Sequence, residues 1–169
     1  MKALELTMVL EQGLEFVESL DEEAYRRPQE ELGLASIGDH YRHHLDYVGT
    51  FLRGIQEGTV DYDDRRRDVG VATCQQEARR ETERLLKEIS SLPSGEEPLE
   101  VVQQVVDGKP PQRWPSTVGR EISFVITHGV HHFAMMAIAA RALGVRPPAT
   151  LGVMPSTIAY QRTIRAAGE

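Results

Sequence analysis

Apolar residues recur at every third or fourth position along four long stretches of the chain, which is the spacing of amphipathic α-helices. Each stretch ends where a polar, glycine-containing or proline-containing segment begins, and such segments terminate helices. On the last stretch the apolar face descends through Val118, Ile122 and Val125 to Met136. The pattern predicts four long helices, at about residues 3–20, 36–57, 69–92 and 117–143.

Two of these predicted helices begin with residues that commonly cap a helix. Ser36 followed by Asp39 resembles a capping box with a shortened acid, and Gly58 is suited to end the same helix. The last long helix has Ser116 or Thr117 as its N-cap. These local signals support the helix boundaries that the periodicity predicts.

The segments between and after the long helices are shorter. Residues 99–106 contain two Val-Val pairs and precede a turn-like Asp-Gly, so we predict a short strand or extended segment there. A C-terminal tail follows Pro147-Pro148, and within it Pro155 opens a sequence suited to cap one last short helix. We therefore expect an all-α four-helix bundle, with residues 1–169 forming a single domain.

Composition and charge narrow the classes of function. The 169 residues are 40% hydrophobic and 27% charged, as in an ordinary soluble protein. The net charge of −7 argues against a general nucleic-acid binder, which needs a cationic face to displace counterions. The run Arg65-Arg66-Arg67 is the one basic cluster, and we interpret it as a loop neutralised by the neighbouring aspartates.

Other features predict a cytoplasmic protein without a membrane span. The single cysteine, Cys74, forms no intrachain disulfide, as expected in a reducing compartment, and we place it on the buried face of its helix. Acidic residues at positions 5, 11 and 15 interrupt anything like a signal-peptide core. The most apolar stretch, residues 122–143, carries three histidines and Arg141, so a core helix explains it better than a membrane span.

All six histidines lie in two short clusters, within the second and fourth predicted helices. His128 and His132 are four residues apart, so their imidazoles project from one helix face about one turn apart. A third imidazole from a packed neighbouring helix would complete a three-nitrogen metal site with an open coordination position. Gly129 has no side chain, so another helix or a ligand can approach closely at that level.

Spacing leaves the third ligand undecided among the histidines of the second predicted helix. His40, His43 and His44 lie within about one turn, and His44 falls on the plain aliphatic stripe. Asp46 follows His43 by three residues, where a carboxylate can accept a hydrogen bond from a ligating imidazole or act as an extra ligand. The alternative is that the histidines are hydrogen-bonded core residues that hold no metal.

Motifs of other metal and hydrolytic sites are absent from the sequence. No glutamate is followed by a histidine three residues later, which rules out the usual carboxylate-bridged di-iron bundle. The zinc-protease signature His-Glu-x-x-His, Cys-x-x-Cys, Gly-x-Ser-x-Gly and phosphate-binding glycine loops are also missing. The histidine clusters therefore carry the candidate chemistry.

Residues 36–46 (SIGDHYRHHLD) and 127–135 (THGVHHFAM) resemble the two histidine motifs of the DinB-like superfamily of four-helix bundles. The resemblance covers both histidine helices and the spacing between them. It implies a divalent metal, zinc or nickel above all, held by His43, His128 and His132. His43 is preferred because the family pattern places an acidic or small polar residue shortly after that ligand, here Asp46.

The chain departs from many relatives just after the last implied ligand. Where they carry Arg-Gly-Gln, this sequence has Phe133-Ala134-Met135, a more apolar wall. Residues 60–68, 117–121 and 152–157 look like those of an uncharacterised subgroup. Membership of that subgroup implies no particular activity.

The resemblance implies a metal-dependent enzyme that activates a low-molecular-weight thiol or water, similar to thiol S-transferases, and acts on a small-molecule substrate. No specific catalytic group is identified, and the candidates are Asp46, His40 and His131. Arg42 and Arg120 are weighed as binders of a substrate carboxylate, against ion pairing. The alternative function is a non-catalytic metal-binding or stress-response bundle that acts as a homodimer. A third reading is an empty, vestigial site.

Overall fold

The computed structural model describes residues 2–93 and 95–167. Within them the chain forms seven α-helices and three β-strands, with one short 3-10 turn at Glu30–Leu32. The helices are α1 (Lys2–Glu18), α2 (Glu22–Arg26), α3 (Ile37–Glu57), α4 (Val69–Thr73), α5 (Gln75–Ile89), α6 (Val118–Ala142) and α7 (Pro155–Ala167). The strands are β1 (Thr59–Asp61), β2 (Pro98–Gln103) and β3 (Gln112–Thr117).

The four longest described helices pack side by side around the hydrophobic core. Helix α3 lies against α6 and α5, and α1 contacts the same two helices. The fully buried side chains between them include those of Leu10, Val48, Phe51, Leu85 and Phe133. The chain is mostly helical, as expected, but the three-stranded sheet and the short helices α2 and α4 depart from a strict four-helix bundle.

The ends of α3 and α6 confirm the predicted caps. The Ser36 hydroxyl accepts a hydrogen bond from the Asp39 backbone N–H at 3.0 Å and donates one to the Asp39 carboxylate at 2.7 Å. Gly58 ends α3 with φ of 74°, a left-handed conformation that suits glycine. Thr117 caps α6 by accepting from the Arg120 N–H. The predicted last short helix is α7, which begins at Pro155.

The prediction of one continuous helix over residues 69–92 is wrong, because the chain breaks at Cys74. Cys74 is extended, with φ of −136° and ψ of 114°, and separates α4 from α5. The Gln75 side chain donates to the carbonyls of Val17 and Leu20 at the end of α1, which fixes the start of α5. Cys74 itself is half-buried, so its predicted place in the core is also wrong.

The sheet has the order β1-β2-β3, with β1 parallel and β3 antiparallel to β2. Strand β2 confirms the predicted extended segment, although it ends at Gln103. Strand β3 contains Pro115, which has no N–H to donate and is tolerated because β3 lies at the edge of the sheet. Since β3 leads directly into α6, the sheet sets where the fourth long helix begins.

By length and composition α6 is apolar enough to cross a membrane. Half of its most apolar window is buried inside the protein, which is the pattern of a core helix in a soluble domain. Its buried face packs on α3 and α1, and that packing aligns the two histidine clusters.

Candidate metal centre

The packing of α3 against α6 brings three histidines from the two clusters together. One ring nitrogen from each of His43, His128 and His132 lies within 4.8 Å of the other two. The ring centroids are 4.5 Å apart for His43 and His132, 4.6 Å for His128 and His132, and 5.1 Å for His43 and His128. All three side chains are half-buried, and ligation of one ion requires their rings to turn toward a common point. The ligand role itself stays a prediction.

The donor set suits a divalent transition metal. Burial lowers the pKa of His43 and of His128 to about 4, with the Arg65 guanidinium adding to the effect on both. Burial and the neighbouring His128 lower the pKa of His132 to about 2. The imidazoles are therefore neutral at pH 7, as metal ligation requires. Among the described residues, Nε2 of His128 is buried without a hydrogen-bond partner, so its lone pair or proton is uncompensated there.

His40 contacts the site from one turn before His43. Its Nδ1 lies 3.1 Å from Nδ1 of His132, a hydrogen bond in which one nitrogen must carry the proton. If His132 donates from Nδ1, its Nε2 keeps a free lone pair for a metal. His40 therefore fits a role in setting the tautomer and orientation of His132.

His44 lies outside this group, in the core. Its ring is fully buried, packs edge-on against Phe133 at 5.2 Å and lies directly against Gly129. A Cβ added to Gly129 would overlap the His44 ring, so the close approach predicted at that glycine is made by another helix. Neither ring nitrogen of His44 has a hydrogen-bond partner among the described residues, and burial lowers its pKa to about 3.

His44 is expected to make the metal-free protein sensitive to acid. The folded state holds its imidazole neutral down to about pH 3, whereas the unfolded chain takes up a proton below its ordinary pKa of 6.5. Stability is therefore present above pH 6.5 and lost as the pH falls below it, by about 2 kcal/mol at pH 5 from this one group. The check is the free energy of unfolding at pH 7 and pH 5, in chelator, for wild type and His44→Met.

Methionine fills the same space without titrating. The decrease in the free energy of unfolding between pH 7 and pH 5 should therefore be smaller by about 2 kcal/mol in the variant than in wild type. An equal loss in both proteins would contradict the neutral, buried state of His44. His131→Ala is the matched control, because that imidazole is exposed.

Tyr47 is a site residue that the sequence reasoning missed. Its buried ring stacks on His128 with centroids 3.9 Å apart, and on Tyr62 at 5.1 Å. The Tyr62 hydroxyl donates to the Glu121 carboxylate at 2.8 Å, which anchors the stack. Tyr47 follows His43 by one helical turn, so the i,i+4 spacing was the signal that places it on the same face.

Arg65, from the loop between β1 and α4, was also missed. Its Nη1 lies 3.0 Å from Nδ1 and 3.3 Å from Nε2 of His43, and its Cζ lies 5.1 Å from the Tyr47 ring centroid. The aspartates expected to neutralise it bond elsewhere, as Asp63 accepts from the Gln104 N–H and Asp64 pairs with Arg53. The interpretation of a neutralised loop is therefore wrong for Arg65. No local pattern signals this contact, which depends on how the loop folds back onto α3.

The remaining candidates are spread around the site. Asp46 pairs with Arg42 at 2.9 Å and has no hydrogen bond to His43 in the described structure, so Arg42 is committed to an ion pair. His131 is exposed, with its ring 5.2 Å from that of His132. Glu121 is buried and accepts from Ser116 as well as Tyr62.

Comparison with known proteins agrees with this architecture. A model of the DinB family matches residues 7–163 of the 169. A search of curated proteins finds no significant match, so no individual relative lends a substrate or an activity. The matched region includes both histidine helices and the whole three-histidine group. The chain belongs to the DinB family.

Proposed function

We propose that the protein is a divalent-metal enzyme that activates a small thiol for S-transfer at the three-histidine group, with His43, His128 and His132 as ligands and zinc or nickel as the metal. The observation that carries the proposal is the convergence of three neutral, half-buried imidazoles, one with an unpartnered buried nitrogen. The proposal includes a cytoplasmic location and a small-molecule substrate. A metal held by three protein nitrogens keeps an open coordination position for an exogenous ligand.

When bound, the metal supplies Lewis acidity, which lowers the pKa of a coordinated thiol or water toward neutrality. Three neutral imidazoles do not cancel the charge of the ion, so its full effect is available to the ligand. In the overall transfer, a sulfur–carbon bond forms, the bond from carbon to the leaving group breaks, and the thiol proton passes to a base.

The chain's own groups order the site. In the loaded site His40 would accept from Nδ1 of His132, which would hold His132 in the tautomer with a free Nε2. Tyr47 fixes the plane of the His128 ring by stacking, with Tyr62 and Glu121 behind it. Because these contacts already restrict the imidazole rings, less conformational entropy is lost when the metal binds.

An exposed imidazole beside the site can accept the thiol proton and release it to solvent. His131 is exposed and lies beside His132, whereas the Nε2 of His40 is buried without a partner among the described residues. We therefore assign proton removal to His131 and positioning to His40. Asp46, occupied by Arg42, is given no catalytic role.

The test is S-arylation of cysteine, glutathione or coenzyme A by 1-chloro-2,4-dinitrobenzene, in which the thiol sulfur displaces chloride, followed by absorbance. Zinc-loaded or nickel-loaded wild type should accelerate the reaction of at least one thiol well above free metal, and the metal-free protein should not. His131→Ala should lower the rate by about 10²-fold without changing metal content, the size of a lost general base.

A non-catalytic metal-binding dimer is the second candidate, and one observation favours it. An apolar groove of about 500 Å³ runs between α1, α6 and α7 and is lined in part by the exposed Met8. Leu4 on α1 and Tyr160 and Ile164 on α7 are also exposed. Full metal occupancy with no acceleration of any thiol, together with a dimer by light scattering, would favour this function over the enzyme.

A further inference from the structure

Arg65 is a half-buried cation that forms no ion pair with any carboxylate in the described part of the chain. Among the described residues no carboxylate lies within ion-pair distance of its guanidinium, and its Nε is buried with no hydrogen-bond acceptor. Its close contacts are with neutral groups, the His43 imidazole and the Tyr47 ring. The Asp46 carboxylate interacts with its charge only from beyond ion-pair distance, and Asp46 is already paired with Arg42. Burying a charge this way is unfavourable unless something pairs with it.

The contact between Arg65 and His43 also conflicts with metal binding. A guanidinium only donates, so Nη1 must use the lone pair of a His43 nitrogen. A neutral imidazole has one such lone pair, and a metal would need the same one. Once His43 ligates a metal, both Nη1 and Nε of Arg65 are left without acceptors.

A divalent ion beside the guanidinium adds a second difficulty. The three imidazoles bring no negative charge, so the ion and Arg65 would repel each other at short range in a partly desolvated site. An anion between them removes the repulsion and gives the arginine its missing acceptors. A carboxylate matches the guanidinium best, since its two oxygens accept from the planar fork.

We propose that Arg65 binds the carboxylate of a ligand that takes the open position beside His43, His128 and His132. The substrate of this site is then a small carboxylate-bearing molecule, and within the proposed function a thiol that carries a carboxylate. Arg65 exchanges its acceptor, from His43 in the metal-free protein to the ligand in the loaded one. Metal and carboxylate therefore bind cooperatively, each raising the affinity of the protein for the other.

This inference rests on the proposed metal site, and the test separates it from the thiol chemistry. Cobalt(II) replaces the native metal, because its visible absorption reports a change of coordination. Cobalt-loaded protein is titrated with acetate, with mercaptoacetate and with 2-mercaptoethanol. Wild type is compared with Arg65→Met, and with Arg66→Met, which removes an exposed charge one position along the same loop.

Arg65→Met should lower the affinity for acetate and mercaptoacetate about tenfold, because a hydrogen bond to a charged group is lost. The affinity for 2-mercaptoethanol should stay within about twofold of wild type. Arg66→Met should leave all three unchanged. Equal acetate affinity in wild type and Arg65→Met would overturn the proposal. If 2-mercaptoethanol does not bind while acetate binding still depends on Arg65, the thiol function fails and the carboxylate site stands.

A second measurement applies if the protein takes up no cobalt. The melting temperature of the metal-free protein is then measured in sodium acetate against sodium chloride of equal ionic strength. A rise in acetate that Arg65→Met abolishes and Arg66→Met keeps supports a carboxylate site at Arg65. The same response in all three proteins overturns it.

Discussion

Replacing His128 and His132 together by alanine is expected to abolish metal binding, taking the bound metal from about one equivalent to none. The two residues supply two of the three imidazoles, and one remaining histidine does not hold a divalent ion against a chelating buffer. Inductively coupled plasma mass spectrometry on tag-free protein, after incubation with zinc and with nickel, makes the measurement.

The same variant should lose the stabilisation that metal gives the wild type. An ion that binds only the folded state adds about 2.7 kcal/mol at a hundred times its dissociation constant. Added zinc should therefore raise the free energy of unfolding of wild type by that order and leave the double variant unchanged.

His131→Ala is the matched control, because His131 lies between the two ligands in sequence but is exposed and outside the group. Its metal content should equal that of wild type. Metal retained by the double variant would refute the ligand assignment. No metal in wild type would mean that the histidines form a polar core, and the enzyme proposal would be withdrawn.

Gly129→Ala is expected to destabilise the protein by about 2 kcal/mol, although alanine normally stabilises a helix interior by about 1 kcal/mol relative to glycine. The new Cβ would overlap three atoms of the buried His44 ring. That ring is held by Phe133 on another side, so the overlap must be relieved by shifting α3 from α6. Because His43 immediately precedes His44 on α3, the affinity of the protein for zinc should fall as well.

The control for helix propensity is Gly49→Ala on α3. A Cβ at Gly49 makes only ordinary contacts, at 3.7 Å from Arg84 and Leu85, so this change should stabilise the protein by about 0.5–1 kcal/mol.

A double-mutant cycle of Gly129→Ala with His44→Ala tests whether the clash with the His44 ring is the cause. With His44→Ala in place the clash is gone, so Gly129→Ala should be neutral or stabilising. Urea unfolding of wild type, the two single variants and the double variant gives the coupling free energy between positions 44 and 129. A Gly129→Ala variant as stable as wild type would contradict the close packing.

The long helices and their caps were predictable because their causes are local. Apolar spacing defines α1, α3 and α6, and the Ser36 cap acts within a few residues of itself. The break at Cys74 was not predictable, since the apolar pattern continues through it and the hydrogen bonds from Gln75 go to the distant end of α1. Strand β3 was missed because it is an exposed edge strand whose residues show no alternation.

The sequence by itself determined that two histidine clusters lie on two long helices and that His128 and His132 share one face, since helical periodicity is a property of the local backbone. Residue spacing alone left His40, His43 and His44 equivalent as partners. Only the rotation of α3 against α6 decided that His43 joins the group, that His40 contacts His132 and that His44 packs into the core. The contact of Arg65 likewise exists only once its loop folds back onto α3, because long-range packing is set by the whole core.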